Sequence, residues 1–137
     1  MVTQLKPKVY SREEYLNLEA KAEIRHEFLN GKIVPMAGGT TKHNLIAGNI
    51  YVALRLALKG KNAPVYFENV RLWIPEANAF TYPDVMVLDG QPVYYGESKT
   101  TVTNPVAIVE ILSESTRDYD QGRICKNTYL WMEKNVR

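Results

Sequence analysis

Two acidic residues lie in stretches that are otherwise apolar, and they are the residues of this sequence best suited to chemistry. Asp84 lies in YPDVMVL, residues 82–88, and Glu110 lies in VAIVEILS, residues 106–113. Burying a carboxylate costs several kcal/mol unless it is paired, hydrogen-bonded, protonated or bound to a cation. If these stretches form neighbouring strands with both acids on one face, a divalent cation would offset their repulsion. Magnesium, or manganese in its place, suits two carboxylates and a phosphate oxygen, so we predict Asp84 and Glu110 as metal ligands.

Other roles for these two acids remain open at this point. Each carboxylate could accept hydrogen bonds from backbone amides or pair with a nearby arginine, which would make it purely structural. Two carboxyl groups whose pKa values are split by their surroundings could also act as general acid and general base without a metal. A chelator would inhibit an enzyme that uses a metal bound by these two acids, and it would leave such an acid/base hydrolase unaffected.

Two helices are predicted upstream of these acids. Ser11 and Glu14 have the spacing of a capping box, which predicts a first helix over about residues 12–23. His43 precedes a second helix, where its ring could contact a phosphate or a water, or could only cap and pack the GGTTKHN loop. Gly60 should end this second helix, whose apolar stripe consists of Ile46, Ile50, Leu54 and Leu58.

The remaining pattern predicts strands and one long loop. Asn30-Gly31 between two short apolar runs is a strong hairpin signal, and this hairpin would set Glu27 opposite Val34. Glu27 could then extend a ligand set towards the metal, or could simply be solvated. Residues 89–105 form a long loop without period, of a length that is uncommon unless functional. Further strands are predicted in PVYFE, VRLWIP, YPDVMVL and VAIVEILS, the last covered on both faces.

Composition limits the class of protein. The chain has 137 residues, 45% of them hydrophobic and 23% charged, which predicts one folded domain over residues 1–137 and argues against disorder. A net charge of +2 is too small to indicate nucleic acid binding by itself. Cys125 is the only cysteine, so an internal disulfide is excluded and a Cys/His zinc site is improbable. No apolar segment of membrane-spanning type is present, so we predict a cytoplasmic protein.

The order of these motifs resembles that of a known group of enzymes. Pro83-Asp84, followed later in the chain by Glu110-Ile111-Leu112, resembles the motif of the PD-(D/E)xK nuclease superfamily. The series EFLNGKIVPMAGGTTKHN, YPDVMVL and PVAIVEILSESTRDYD more specifically resembles the Uma-type restriction endonuclease family of bacteria. This resemblance implies an α/β (α+β) restriction-endonuclease-like core, a mixed sheet flanked by helices, DNA as substrate and Mg²⁺ or Mn²⁺ as cofactor. It also implies Asp84 and Glu110 as metal ligands, with Glu27 and His43 as further site residues.

The lysine of these nucleases is missing from its usual places. The superfamily motif puts it at position 112, and the Uma-type pattern at position 124, where this sequence has Leu112 and Ile124. Lys126 is the nearest lysine, although two residues along a regular helix turn a side chain by about 200°. The tail 123–137 also departs from the family pattern, which predicts a domain that is incomplete at its C-terminus, with exposed apolar surface that favours a homodimer.

These observations predict a metal-dependent DNA endonuclease in which Asp84, Glu110, Lys126, Glu27 and His43 are the candidate catalytic residues. One alternative is a catalytically inactive or truncated homologue that keeps the nuclease fold. The other alternative is the metal-free acid/base hydrolase.

Overall fold

The structure is a computed structural model that describes residues 6–111. In these residues the helices are α1, Arg12–Glu19, and α2, Thr41–Ala57, and a 3-10 turn spans Pro75–Ala77. The strands are β1 His26–Leu29, β2 Lys32–Pro35, β3 Val65–Phe67, β4 Arg71–Ile74, β5 Ala79–Thr81, β6 Val85–Leu88, β7 Thr101–Val102 and β8 Pro105–Val109. They form a five-stranded sheet of order β2-β1-β5-β4-β7 and a three-stranded sheet of order β3-β6-β8. All neighbours are antiparallel except β4 and β7, which makes the first sheet mixed.

The predicted cap and hairpin near the start of the chain are confirmed. The Ser11 side chain accepts a hydrogen bond from the Glu14 N–H, and the Glu14 carboxylate accepts one from the Ser11 N–H. Asn30 and Gly31 have φ of 45° and 92°, as a primed two-residue hairpin turn requires. This turn sets the register between β1 and β2, in which Glu27 pairs with Val34 as predicted.

The layers follow from which residues share a core. α1 covers one face of the five-stranded sheet, where buried Tyr15 packs with Phe28, Phe80 and Trp73. The opposite face of that sheet packs on β6 through a second cluster, which includes Leu72, Ile74, Ala79, Met86 and Leu88. α2 covers the other face of the three-stranded sheet, where Ala47 meets Val65, Val85 and Val87. The alternation of side chains along β6 therefore joins both cores, as expected for a strand that is buried on both faces.

Three predicted boundaries were wrong. α1 ends at Glu19 instead of Glu23, because the chain tightens there into i→i+3 bonds and the Glu19 carboxylate receives the His26 N–H. The predicted loop 89–105 contains β7, which pairs with β4 and is held by the Arg71 side chain on the Thr101 hydroxyl. β8 ends at Val109 and is only partly buried, because β6 is the strand that flanks it in the described part of the chain.

The structure does not test two predictions from the sequence, the homodimer and the cytoplasmic location. Exposed apolar side chains follow one side of α2, namely Leu45, Val52 and Leu56. This surface is compatible with the predicted homodimer, which remains a prediction. No helix within residues 6–111 is long and apolar enough to cross a membrane. The cytoplasmic location also remains a prediction, and Lys126 lies outside the described residues.

Candidate functional site

Asp84 lies directly before β6, one residue outside the strand in which it was predicted. Its Oδ2 atom accepts a hydrogen bond of 2.7 Å from the Ile111 N–H and lies 3.2 Å from the His43 Nε2. The side chain is 19% exposed. Its backbone carbonyl accepts a hydrogen bond from the Glu68 N–H at 3.0 Å. At the end of a strand the carboxylate can thus reach backbone donors, which lowers the cost of removing it from water.

Glu110 lies opposite Asp84 in the strand register. β6 and β8 are antiparallel, and their outermost pair within the strands is Val85 with Val109. One step further outward, the same register sets Asp84 against Glu110. Directly opposite residues of an antiparallel pair have Cβ atoms about 4.5–5.5 Å apart. The predicted pairing of the two acid-bearing segments is therefore confirmed, although both acids lie just beyond the strands and not within them.

Glu27 is a buried carboxylate of the other sheet. It lies on β1 with 8% exposure, so the alternative in which this side chain is simply solvated was wrong. The Thr81 hydroxyl, at the end of β5, donates a hydrogen bond to Glu27 Oε1. Thr81 precedes Asp84 by three residues, so their Cα atoms are at most about 11 Å apart. The Thr81 hydroxyl thus links Glu27 to the short segment that leads to Asp84.

His43 lies in the first turn of α2. Thr40 caps this helix, because its hydroxyl accepts a hydrogen bond from the His43 N–H at 3.2 Å. The cap leaves the ring of His43 directed at Asp84, and its side chain is 22% exposed. The structure thus shows the capping alternative, with His43 inside the helix and not before it, whereas contact of its ring with a phosphate or a water stays a prediction.

Two further residues at this end of the molecule were missed by the sequence reasoning. Glu68, between β3 and β4, has a φ of 54°, which is uncommon for a residue with a side chain. Its carboxylate accepts a hydrogen bond of 3.2 Å from the side-chain amide of Asn44, which follows His43 on α2. Strained backbone of this kind costs about 1–3 kcal/mol and concentrates at functional sites. An acid in the turn after PVYF was the only signal in the sequence, and it is a weak one.

The donor set fits a hydrated, hard cation. Within residues 6–111, the contacts of the Asp84 carboxylate are made by its Oδ2 atom. Its Oδ1 atom is therefore the oxygen that a further ligand could use. Within the same residues, no three His, Cys, Asp or Glu side chains are grouped closely enough to hold a metal by themselves. Magnesium keeps several waters and needs only one or two carboxylates, so Asp84 and Glu110 suit it better than they suit a metal enclosed by protein ligands. Glu27 is not gathered into one ligand group with them.

A buried polar cluster supports this end of the fold, and no pattern in the sequence indicates it. The Glu19 side chain is 6% exposed, and it accepts hydrogen bonds from the His26 N–H, the His26 ring and the Tyr82 hydroxyl, at 2.8–3.0 Å. Arg71 contacts the same Tyr82 hydroxyl at 3.3 Å. We call Glu19, His26, Tyr82 and Arg71 the Glu19 cluster. It fixes α1 to the residue that precedes Pro83-Asp84.

Burial shifts the pKa values of two tyrosines in this region. Burial raises the pKa of Tyr82, an effect that the Arg71 guanidinium opposes and the Glu19 carboxylate reinforces. Burial likewise raises the pKa of Tyr15 far above its ordinary value, and the neighbouring Tyr82 and Glu19 add to this shift. Both phenols therefore stay neutral hydrogen-bond donors through the physiological range, and the Tyr15 hydroxyl donates to the His26 carbonyl at 2.6 Å.

Comparisons of the sequence with known proteins give a family and two relatives. A family model described as "Uma2: Putative restriction endonuclease" matches residues 12–132. Two uncharacterized proteins of Synechocystis sp. (strain ATCC 27184 / PCC 6803 / Kazusa) are similar to the chain. The protein sll1609 is 35% identical over 116 residues, which cover 85% of this chain and 66% of that protein. The protein slr1290 is 32% identical over 114 residues, which cover 82% of this chain and 58% of that protein.

A solved structure has a similar fold. It is the crystal structure of a "putative nuclease belonging to DUF820" from Anabaena variabilis ATCC 29413, and it matches with a TM-score of 0.63. The sequences are 24% identical, and the match covers 86% of this chain and 65% of that chain. This likeness confirms the predicted α+β fold class. The chain spans less than two-thirds of the length of each of these three relatives.

Proposed function

The chain belongs to the Uma2 family, and from this premise we propose that it is a metal-dependent endonuclease that hydrolyses phosphodiester bonds of DNA. The observation that carries the proposal is the register that sets Asp84 opposite Glu110 where two antiparallel strands meet the candidate site. The description of the family and the name of the solved relative, both of which refer to nucleases, support the same reaction class.

The roles of the residues follow from their contacts. Asp84 and Glu110 would hold Mg²⁺ or Mn²⁺, with Asp84 Oδ1 as the available oxygen. Such an ion, when bound, lowers the pKa of a water and stabilises the charge that builds on the phosphate. The Ile111 N–H and the His43 ring fix Asp84 Oδ2 and thereby orient the carboxylate. Glu27, held by the Thr81 hydroxyl, remains a candidate for ordering water beside the phosphate.

The rate of hydrolysis expected from this site depends on whether an active-site lysine is present. Leu112 and Ile124 occupy the positions from which related nucleases supply it, and Lys126 is the remaining candidate in the sequence. Loss of one well-placed positive donor costs roughly 10²- to 10³-fold in rate. This feature of the sequence favours a second candidate function, a homologue that keeps the fold and binds metal but does not cut. The metal-free acid/base hydrolase remains a third.

The test is relaxation of supercoiled plasmid by the purified chain with Mg²⁺, Mn²⁺ or chelator. The variants are Asp84→Asn and Glu110→Gln. Asp89→Asn is the matched control, because Asp89 lies at the opposite end of β6 and is exposed. The proposal expects metal-dependent nicking that Asp84→Asn and Glu110→Gln abolish and Asp89→Asn leaves intact.

Other outcomes identify the alternatives. Metal binding without nicking by the chain, even at high protein concentration, would favour the inactive homologue. Nicking that persists in chelator and still requires both acids would favour the acid/base hydrolase. Nicking that survives both substitutions would show that the activity does not come from this site.

A further inference from the structure

Four residues form a closed circuit of contacts around the candidate metal ligand. The circuit runs from the Asp84 carbonyl to the Glu68 N–H, at 3.0 Å, and from the Glu68 carboxylate to the Asn44 amide, at 3.2 Å. Asn44 and His43 are neighbours on α2, and the His43 ring returns to the Asp84 carboxylate at 3.2 Å. We call Asp84, Glu68, Asn44 and His43 the Asp84 circuit.

The backbone at Glu68 is shaped to close this circuit. Glu68 is held in the left-handed region, with φ of 54°, and its carbonyl accepts a hydrogen bond from the Val70 N–H two residues later. This tight turn lets one residue use its N–H on Asp84 and its carboxylate on α2 at the same time. Glycine would adopt this conformation more easily. Glu68 thus bonds to Asn44 from a backbone conformation that is strained for a residue with a side chain.

The carboxylate of Glu68 contacts the helix turn that carries His43. Asn44 bonds to Glu68 through its side-chain amide, and its backbone N–H donates to the Thr40 carbonyl at the start of α2, at 3.1 Å. Fixing Asn44 to the β3–β4 turn therefore fixes the first turn of the helix against Asp84. The Ile111 N–H holds the same Oδ2 from the other side. A carboxylate that is held from both sides is preorganised for its ligand.

We propose that Glu68 is a positioning residue of the candidate site, which acts through Asn44 and His43 on the carboxylate of Asp84. This inference rests on the proposed function for its effect on rate. Its effect on the geometry of His43 does not depend on any activity. Glu68 binds neither metal nor DNA in this proposal.

Two substitutions separate the side chain from the strained backbone. Glu68→Gly removes the acceptor of the Asn44 amide and relieves the positive φ, so the variant should fold at least as well as the wild type. Glu68→Gln keeps an oxygen that can accept from Asn44. Asn44→Ala removes the donor. Asn78→Gly is the matched control, because Asn78 also has a positive φ, of 46°, and its amide bonds to Asn30 in a different turn.

The first readout is the imidazole N–H proton signal of His43 by NMR in metal-free protein. The signal of His26, whose ring bonds to Glu19 at 3.0 Å, serves as the internal reference. We expect Glu68→Gly and Asn44→Ala to broaden or lose the His43 signal and to keep that of His26. Glu68→Gln and Asn78→Gly should keep both signals. A His43 signal that is unchanged in Glu68→Gly would overturn the proposal.

The second readout is the rate of plasmid nicking. We expect Glu68→Gly and Asn44→Ala each to lower kcat about tenfold with KM unchanged, since small misplacements at a site cost up to about 10²-fold. The double variant should be no slower than either single variant, because both break the same contact. Additive losses, or a Glu68→Gln variant as slow as Glu68→Gly, would overturn the proposal. If no variant and no metal gives nicking, the proposed function fails, and the NMR readout alone decides whether Glu68 positions His43.

Discussion

Replacing Asp84 by asparagine should change the stability of the metal-free protein little and should remove most of its stabilisation by metal. Without metal the change removes one of two negative charges that the strand register sets opposite each other. At about 5 Å, two such charges repel by roughly 0.8 kcal/mol in a water-like dielectric and roughly 3 kcal/mol at an effective dielectric of 20. The asparagine oxygen can still accept from the Ile111 N–H and from the His43 ring, but each of these bonds is weaker by about 1 kcal/mol when the acceptor is neutral. The metal-free variant should therefore lie within about 1 kcal/mol of the wild type in stability.

With metal bound, the wild type should be more stable than Asp84→Asn. An ion that binds only the native protein stabilises it by about 2.7 kcal/mol at a concentration of one hundred times Kd. For a domain of this size that corresponds to a rise in thermal midpoint of about 8 °C. Asp84→Asn should lose most of this rise, because it removes a ligand. Asp89→Asn should keep it in full.

Differential scanning calorimetry with a titration of Mn²⁺ measures both effects in one series. The reasoning is refuted if metal-free Asp84→Asn is less stable than the wild type by more than about 1 kcal/mol, since the hydrogen bonds would then outweigh the repulsion. It is equally refuted if Asp84→Asn and wild type show the same rise with Mn²⁺. In that case the metal binds elsewhere.

Three further expectations concern the lysine and the buried polar groups. Ile124→Lys should speed plasmid nicking by about 10²-fold, as measured by the initial rate, and a wild type that already cuts as fast as this variant would point to Lys126. Thr81→Val keeps the shape of the side chain but removes one hydrogen-bond donor of buried Glu27, so urea unfolding should show a loss of about 1.5–3 kcal/mol. Thr103→Val, which removes an exposed hydrogen bond to the Val93 carbonyl, should lose less. Tyr15 has a raised pKa in the folded protein, so unfolding releases its proton above pH 10. Stability is therefore full below pH 10 and falls above it, by about 1.4 kcal/mol at pH 11. Tyr15→Phe should remove this part of the alkaline loss, and urea unfolding at pH 8 and pH 11 would contradict the shift if both proteins lost equally.

Features determined by neighbouring residues could be predicted from the sequence. Ser11 with Glu14, and Asn30 with Gly31, specify a cap and a turn through contacts within a few residues, and both are present as expected. The lone acid in each of two apolar runs also led us to expect that the segments carrying Asp84 and Glu110 would pair, as they do. The exact position of each acid was missed by one residue, because periodicity does not show where a strand gives way to a bend.

The supporting contacts could not be predicted, because they join residues far apart in the chain. The hydroxyl of Thr81 meets a carboxylate 54 positions away, and Tyr82 meets Glu19 at a separation of 63. The conformation of Glu68 depends on a hydrogen bond to Asp84 that exists only when β3 and β6 are paired. Such partners follow from the topology of the sheets, and no local pattern encodes that topology.

The short link between β5 and β6 makes the spacing of the chain itself a functional quantity. Thr81 ends a strand of one sheet and Asp84 lies just before a strand of the other, so two residues, Tyr82 and Pro83, span the gap. If β6 took up an added residue in this link by shifting its register by one position, its side chains would exchange faces. Asp84 would then leave its place opposite Glu110, and the interleaved cores on either side of β6 would exchange their residues. Loops elsewhere on the surface can lengthen at small cost. The length of this link, by contrast, sets the position of β6 relative to β5, so a change of one residue that shifted β6 would disturb the core and the site together.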